Sequence, residues 1–134
     1  MTEESRTAEL RTDRTLVLLK PDAVQRGLTG QILARYQAKG LTITALEQRL
    51  ATLDEAKAHY AEHEGRDYYP PLLDFITSGP IVALILEGER AIEIVRLLNG
   101  ATDSAKAAPG TIRGDLSIYY NRNIVHASDS PETA

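Results

Sequence analysis

The 134-residue chain has no cysteine and no tryptophan, and its aromatics amount to six tyrosines and one phenylalanine. Without thiols there is no disulfide, no thiolate metal centre and no cysteine nucleophile. The longest apolar runs, Leu16–Leu19 and Ile81–Leu86, fall far short of the ~20 residues that cross a bilayer. The first residues mix Glu3, Glu4 and Glu9 with Arg6 and Arg11 and hold no apolar core of the secretory kind. A soluble, cytoplasmic protein without membrane attachment is therefore expected. Neither common glycine-rich phosphate cradle, G-x-x-x-x-G-K-[ST] or G-x-G-x-x-G, occurs.

Bulk positive charge is also lacking. The formal net charge is −4, and the acidity sits at the two ends, because residues 14–126 carry 13 basic and 13 acidic side chains. A nucleic-acid binder working through overall charge is excluded, so any anion site has to be a local cluster.

The length suits one domain. Residues 1–13 show little periodicity and read as a flexible leader, and residues 14–134 read as a single domain. Thr15–Leu19 is a continuous apolar run of the kind buried on both faces of a sheet, stopped by Lys20 and Pro21. A loop, PDAVQRGLTG, precedes a helix with Ile32, Leu33 and Tyr36 on one stripe and Gly40 as its stop. Leu41–Leu46 half-alternates, as a strand with one wet face would. Thr52-Leu-Asp-Glu55 is a capping box, and the helix it opens should reach about Glu64, with Leu53, Ala56 and Tyr60 along its stripe. A second short helix is expected over Leu72–Ile76, a strand over Ile81–Leu86, a helix from about Glu89 to Asn99 ending at Gly100, and a last strand from about Ile112 to Tyr120.

That order is βαββαβ: an α+β, ferredoxin-like α/β sandwich with a four-stranded antiparallel sheet and an inserted helical hairpin. In this topology the first and third strands are central, and those are the two unbroken apolar runs. An RNA-recognition module has the same order but stacks bases on strand aromatics, and neither central run contains one.

Three histidines are candidates for chemistry. His59 and His63 lie four apart and could align two imidazoles for a metal, but spacing offers no third ligand, and a solvated helix face is the simpler reading. His126 follows the end of the sheet, between apolar residues and a small polar tail. Lys20 closes a buried strand, Arg96 lies on a helix and Arg113 opens the expected last strand. Singly these are ordinary surface cations, and Arg96 has Glu89 and Glu93 within helical reach. With Thr102 and the loop NGATDSAKAAPGTIRGD they suggest an anion pocket, arginine supplying bidentate donors and lysine a point charge.

The stretches LVLLKPDAVQRGLTGQI, HYAEHEGRDYYPPLLDFITSGP and GATDSAKAAPGTIRGD…NRNIVHASDS closely resemble nucleoside diphosphate kinases, in unbroken order over residues 14–130. The resemblance implies γ-phosphoryl transfer from a nucleoside triphosphate to a nucleoside diphosphate, by a ping-pong route through a phosphohistidine at His126. It implies that Lys20, Arg96, Thr102 and Arg113 bind phosphates, and that Asn123 meets the sugar and phosphate region. Tyr68 would stack on the base, with Leu72 opposite, Tyr60 beside the histidine and Ser128 in support. Mg2+ would ride on the nucleotide phosphates and water, with no protein metal site. A homohexamer is implied, a tetramer being the variant.

Four departures from the family pattern stand out. Tyr68 stands where the family usually has Phe, Thr102-Asp103-Ser104 replaces a frequent T-N-P, and Ala127 replaces the usual Gly. The family typically continues into a short helix whose glutamate orients the imidazole, whereas this sequence ends at Ala134. Glu132 or Ser128 could substitute. The expectation is activity that persists at a reduced rate; the alternative is a nucleotide-binding or assembly module with weakened catalysis.

Overall fold

The computed structural model describes residues 12–119 and 122–127. Strand β1 (Thr12–Leu19) runs antiparallel to β3 (Ile81–Glu89) through eight paired positions, from Thr12 opposite Glu89 to Leu19 opposite Val82. Strand β2 (Thr42–Arg49) pairs with the far side of β3, and β4 (Val125–Ala127) with the far side of β1, so the sheet order is β2-β3-β1-β4. The two unbroken apolar runs are thus the two central strands, because only a strand covered on both faces places every side chain in apolar surroundings.

Six α-helices cover the two faces among the described residues: α1 (Pro21–Gln25), α2 (Thr29–Lys39), α3 (Leu53–His59), α4 (Tyr69–Ile76), α5 (Ala91–Asn99) and α6 (Ile112–Leu116). On one face Val17 and Leu19 of β1 and Val82, Leu84 and Leu86 of β3 meet Ile32 and Tyr36 of α2 and Val95 of α5. On the other, Leu18 and Ile81 meet Ala56 of α3, Tyr60, and Leu73 and Ile76 of α4. The period of two along a strand makes this division: odd positions of β1 feed one core, and Leu18 feeds the other. Tyr36 is fully buried, and its hydroxyl donates to Asn99 Oδ1 at 2.5 Å, which ties α2 to the end of α5.

Local signals act as expected where chemistry is local. The Thr52/Glu55 capping box forms in both directions, and the Glu55 carboxylate is also paired with Arg49. Gly40 ends α2 in the left-handed conformation, at φ 112°, and Gly100 ends α5 at φ 85°.

Several expectations need correction. The segment from Ile112 is not the last strand: Ile112–Leu116 is helix α6, and the last strand is the three-residue β4. Thr111 caps α6 by accepting from the Gly114 N–H, and Asp115 accepts from the Gly110 N–H, so local side chains satisfy the backbone groups that a strand would have paired. Ile112 and Leu116 also stand at helical spacing. The loop after Lys20 holds a helix, α1, because Pro21 suits the first helical position, where an N–H has no partner to lose. Helix α3 stops at His59, and a 3-10 turn, Ala61–His63, follows. Leu53 is half exposed rather than buried. Strand β2 lacks a buried face: a bulge between Ile43 and Ala45 breaks its alternation, and Leu46 is 49% exposed at the sheet edge. The two last residues of the expected leader, Thr12 and Asp13, already belong to β1; the rest of it, with Tyr120, Asn121, Ser128 and Glu132, lies outside the described residues.

Candidate functional site

His126 is aimed by strand parity. In β4 it pairs opposite Leu18, while Val125 and Ala127 on either side of it enter the core shared by β1, α2 and α5. Its side chain therefore leaves the sheet on the opposite face, where α3 lies. There the His59 ring meets it edge to face, with centroids 5.0 Å apart and planes at 79°, and the Tyr60 ring stands 6.2 Å away at 67°. Tyr60 is buried, its hydroxyl has no partner among the described residues, and burial pushes that hydroxyl up to about 12. Burial and the neighbouring Lys20 ammonium both hold His59 below the usual imidazole range. His59 is exposed, as a solvated helix face requires, yet its ring also packs edge to face against the candidate nucleophile.

The turn before β4 is unusual. Ile124 has φ 62°, and the Val125 N–H donates to the Asn123 carbonyl across it at 2.7 Å, the closure of a three-residue γ-turn. A β-branched residue at positive φ is a steric outlier that costs on the order of 1–3 kcal/mol and persists only where its surroundings over-determine it. Here the Ile124 N–H donates to Asp22 Oδ2 at 3.1 Å, and the Lys20 N–H donates to the Ile124 carbonyl at 2.8 Å.

Around this turn the cations converge. Lys20 is 7% exposed, and its ammonium donates to Asn123 Oδ1 at 2.7 Å. Burial first, then Arg113, lowers it to about 8, with Asp22 opposing. Burial holds the Asp22 carboxyl above the usual range against the pull of Lys20. Arg113 is equally buried. Its guanidinium donates to three backbone carbonyls, Val125 at 2.7 Å, Gly100 at 2.8 Å and Asn123 at 3.3 Å. It thereby ties the loop after α5 to the strand that carries His126. Five N–H groups less three leaves two for a ligand. Arg113 belongs to α6 rather than opening a strand. Burial holds the Arg113 guanidinium below its usual range, opposed by Tyr36 and aided by Arg96; Arg96 lies on the exposed face of α5 and forms no ion pair with Glu89 or Glu93. The Thr102 carbonyl accepts from Asn123 Nδ2 at 2.8 Å.

Tyr68 and Leu72 border the site from the other side of the hairpin. Tyr68 is half exposed, and its hydroxyl lies 2.6 Å from His63 Nδ1, a hydrogen bond a phenylalanine could not make. Leu72 packs on the α3–α4 core. The structure thus gathers Lys20, Thr102, Arg113 and Asn123 about the turn that leads into His126, with Arg96 near Arg113, Tyr60 beside His126, and Tyr68 and Leu72 on the neighbouring hairpin. Sequence reasoning missed His59, His63 and Asp22 as members of this neighbourhood. The only signal for the histidines was their place beside Tyr60, and for Asp22 its place two residues after Lys20. Among the described residues no three His, Asp or Glu side chains cluster as a metal site, and no helix is long and apolar enough to cross a membrane.

Comparison with known proteins shows the family. The family model for nucleoside diphosphate kinase matches residues 13–134. A nucleoside diphosphate kinase from Nocardioides sp. is 65% identical over 121 residues, covering 90% of each chain. One from Cutibacterium acnes is 62% identical over 124 residues, 91% of this chain and 88% of that one. A solved halophilic nucleoside diphosphate kinase from Halobacterium salinarum, in complex with CDP, superposes with a TM-score of 0.87 at 46% identity, over 89% of this chain and 78% of that one. With that model spanning the whole sheet and its helices, and relatives above 60% identity across most of the chain, this protein belongs to the nucleoside diphosphate kinase family of phosphotransferases.

Proposed function

We propose that His126 is the nucleophile of this phosphotransferase. One imidazole nitrogen attacks the γ-phosphorus of a nucleoside triphosphate, the bond from that phosphorus to the bridging oxygen breaks, and the nucleoside diphosphate leaves with the electron pair. A second nucleoside diphosphate then takes the phosphoryl group from the histidine by the reverse displacement. Covalent relay of this kind gives ping-pong kinetics. The observation that carries the reading is the convergence of buried Lys20 and Arg113 on the turn that delivers His126. Fixed cations stabilise charge on the transferred oxygens without reorganising.

Lys20, the two unused N–H groups of Arg113, Arg96 and Thr102 would bind the phosphates, and Asn123, held by Lys20 and the Thr102 carbonyl, would meet the sugar and phosphate region. Tyr68 would stack on the base, its ring angle set by His63, with Leu72 opposite and Ser128 supporting. Stacking tolerates any base, because each has a π face. Kinases of this family work with a divalent metal, Mg2+ in this reading. The donor set suits a metal carried on phosphates and water: the neighbourhood is cationic, and Asp22 already accepts from Ile124. When bound, Mg2+ supplies charge neutralisation on the β and γ phosphates. The enzyme would act in the cytoplasm as a homohexamer, with the tetramer as runner-up. Exposed Leu46, Leu50, Leu97 and Ile118 support assembly.

The test is incubation with γ-labelled ATP. Acid-labile, base-stable label is expected on the wild type and none on His126→Ala; equal labelling of both would remove His126 from the mechanism. Nucleotide-dependent thermal stabilisation without turnover would favour the binding-module alternative, and light scattering decides the assembly.

A further inference from the structure

Nucleotide binding does not account for Asp22. Its carboxylate is buried on α1, one oxygen accepts the Ile124 N–H, and the other meets no side-chain donor among the described residues. The opposite side of Ile124 is held by the Lys20 N–H. One short segment, the junction of β1 and α1, therefore grips both backbone polar groups of the single residue that stands at φ 62°. Two residues later the chain presents His126. Among the described residues strand β4 is three residues long and pairs with β1 alone, so this stretch has little capacity to hold its own register. Were Ile124 to relax to negative φ, the path from Asn123 into Val125 would swing, and with it the direction in which His126 leaves the sheet.

We infer that Asp22 is a positioning residue for phosphoryl transfer: it locks Ile124 in the left-handed conformation and thereby aims His126 at the phosphate. The inference rests on His126 being the nucleophile. A carboxylate suits the task because it accepts strongly and reaches the N–H from a helix start, while its charge sits near Lys20. The groups facing it are that ammonium and, beyond Lys20, Arg113.

The experiment compares wild type, Asp22→Ala, Asp22→Asn and the double variant Asp22→Ala/Ile124→Gly, with His126→Ala alongside. Single-turnover labelling by γ-labelled ATP is measured at about pH 6.5, where Lys20 is protonated, and the rate constant is taken from the time course, so unfolded protein does not enter it. Asp22→Ala is expected to slow labelling at least about tenfold with the nucleotide KM changed less than about threefold, the pattern of lost alignment rather than lost binding. Asp22→Asn keeps an oxygen acceptor and is expected to stay within about threefold of wild type. Glycine adopts positive φ without a clamp, so the double variant is expected to exceed Asp22→Ala by at least about threefold. Wild-type rate in Asp22→Ala, equal slowness of Asp22→Asn and Asp22→Ala, or no gain in the double variant would each overturn the clamp. If Asp22→Ala does not fold, Asp22→Ser, too short to reach the amide, takes its place. Label persisting on His126→Ala would instead overturn the nucleophile assignment beneath it.

Discussion

Replacing Arg113 separates its structural role from the phosphate binding proposed for it. Its guanidinium holds the carbonyls of Gly100, Asn123 and Val125 while the side chain is 7% exposed. Hydrogen bonds from a charged donor contribute about 1.5–3 kcal/mol each. The full sum overstates the loss, because the Asn123 carbonyl keeps the Val125 N–H and the Gly100 carbonyl is only partly buried. Arg113→Ala should therefore cost about 3–5 kcal/mol in the nucleotide-free protein. Against a total of roughly 5–15 kcal/mol, the variant stays folded but melts roughly 10–20 °C lower. Arg113→Lys keeps a point charge without the fork and should fall between. The control is Arg96→Ala: Arg96 is exposed and forms no ion pair among the described residues, so its removal should cost less than about 0.5 kcal/mol while weakening nucleotide binding. Urea denaturation and thermal melting at one fixed protein concentration measure all three, since assembly shifts apparent stability. A cost below about 1 kcal/mol for Arg113→Ala, level with Arg96→Ala, would refute the structural role.

Three further outcomes are expected. Tyr36→Phe removes the donor to buried Asn99 Oδ1 and should destabilise by about 1–3 kcal/mol, read by urea denaturation; an unchanged midpoint would mean that Asn99 finds another donor. Ser104→Pro should stabilise by about 0.4–1 kcal/mol, seen as a few degrees in Tm. Ser104 opens a 3-10 turn after an extended Asp103, both suited to proline, and its buried hydroxyl has no partner among the described residues; a lower Tm would show that the proline ring does not fit. Lys20 sits at about 8 when folded against 10.5 in its usual state, so in that window the unfolded chain holds more protons. This lysine's contribution to stability then rises with pH, while phosphate affinity falls as the charge is lost above about 8. Lys20→Met should abolish both trends in melting and nucleotide-titration series across pH, and trends unchanged in that variant would assign them to another group.

Much of the architecture was legible because its causes are local or periodic. Apolar continuity marked β1 and β3 as central, Thr52 and Glu55 marked a helix start, and Gly40 and Gly100 marked helix ends. The segment after Gly110 was misread because Ile112 and Leu116 fit either an apolar strand or a short helix, and the caps that decide, Thr111 on Gly114 and Asp115 on Gly110, read as loop chemistry. The bulge in β2 has no sequence mark at all.

The chain's residue types alone determined that a phosphate site had to be a local cluster on a neutral body, and that Lys20, Arg96, Arg113 and His126 were its candidates. Which of them is also a structural tie was decided only by tertiary structure. His59 lies far from His126 in sequence, yet its ring stands 5.0 Å away, because strand parity sends His126 to the α3 face. Asp22 meets Ile124, and Arg113 spends three donors on carbonyls, through contacts between segments that adjoin only once the sheet has formed. Composition and periodicity record what each residue can do; the burial that makes those contacts strong exists only in the fold.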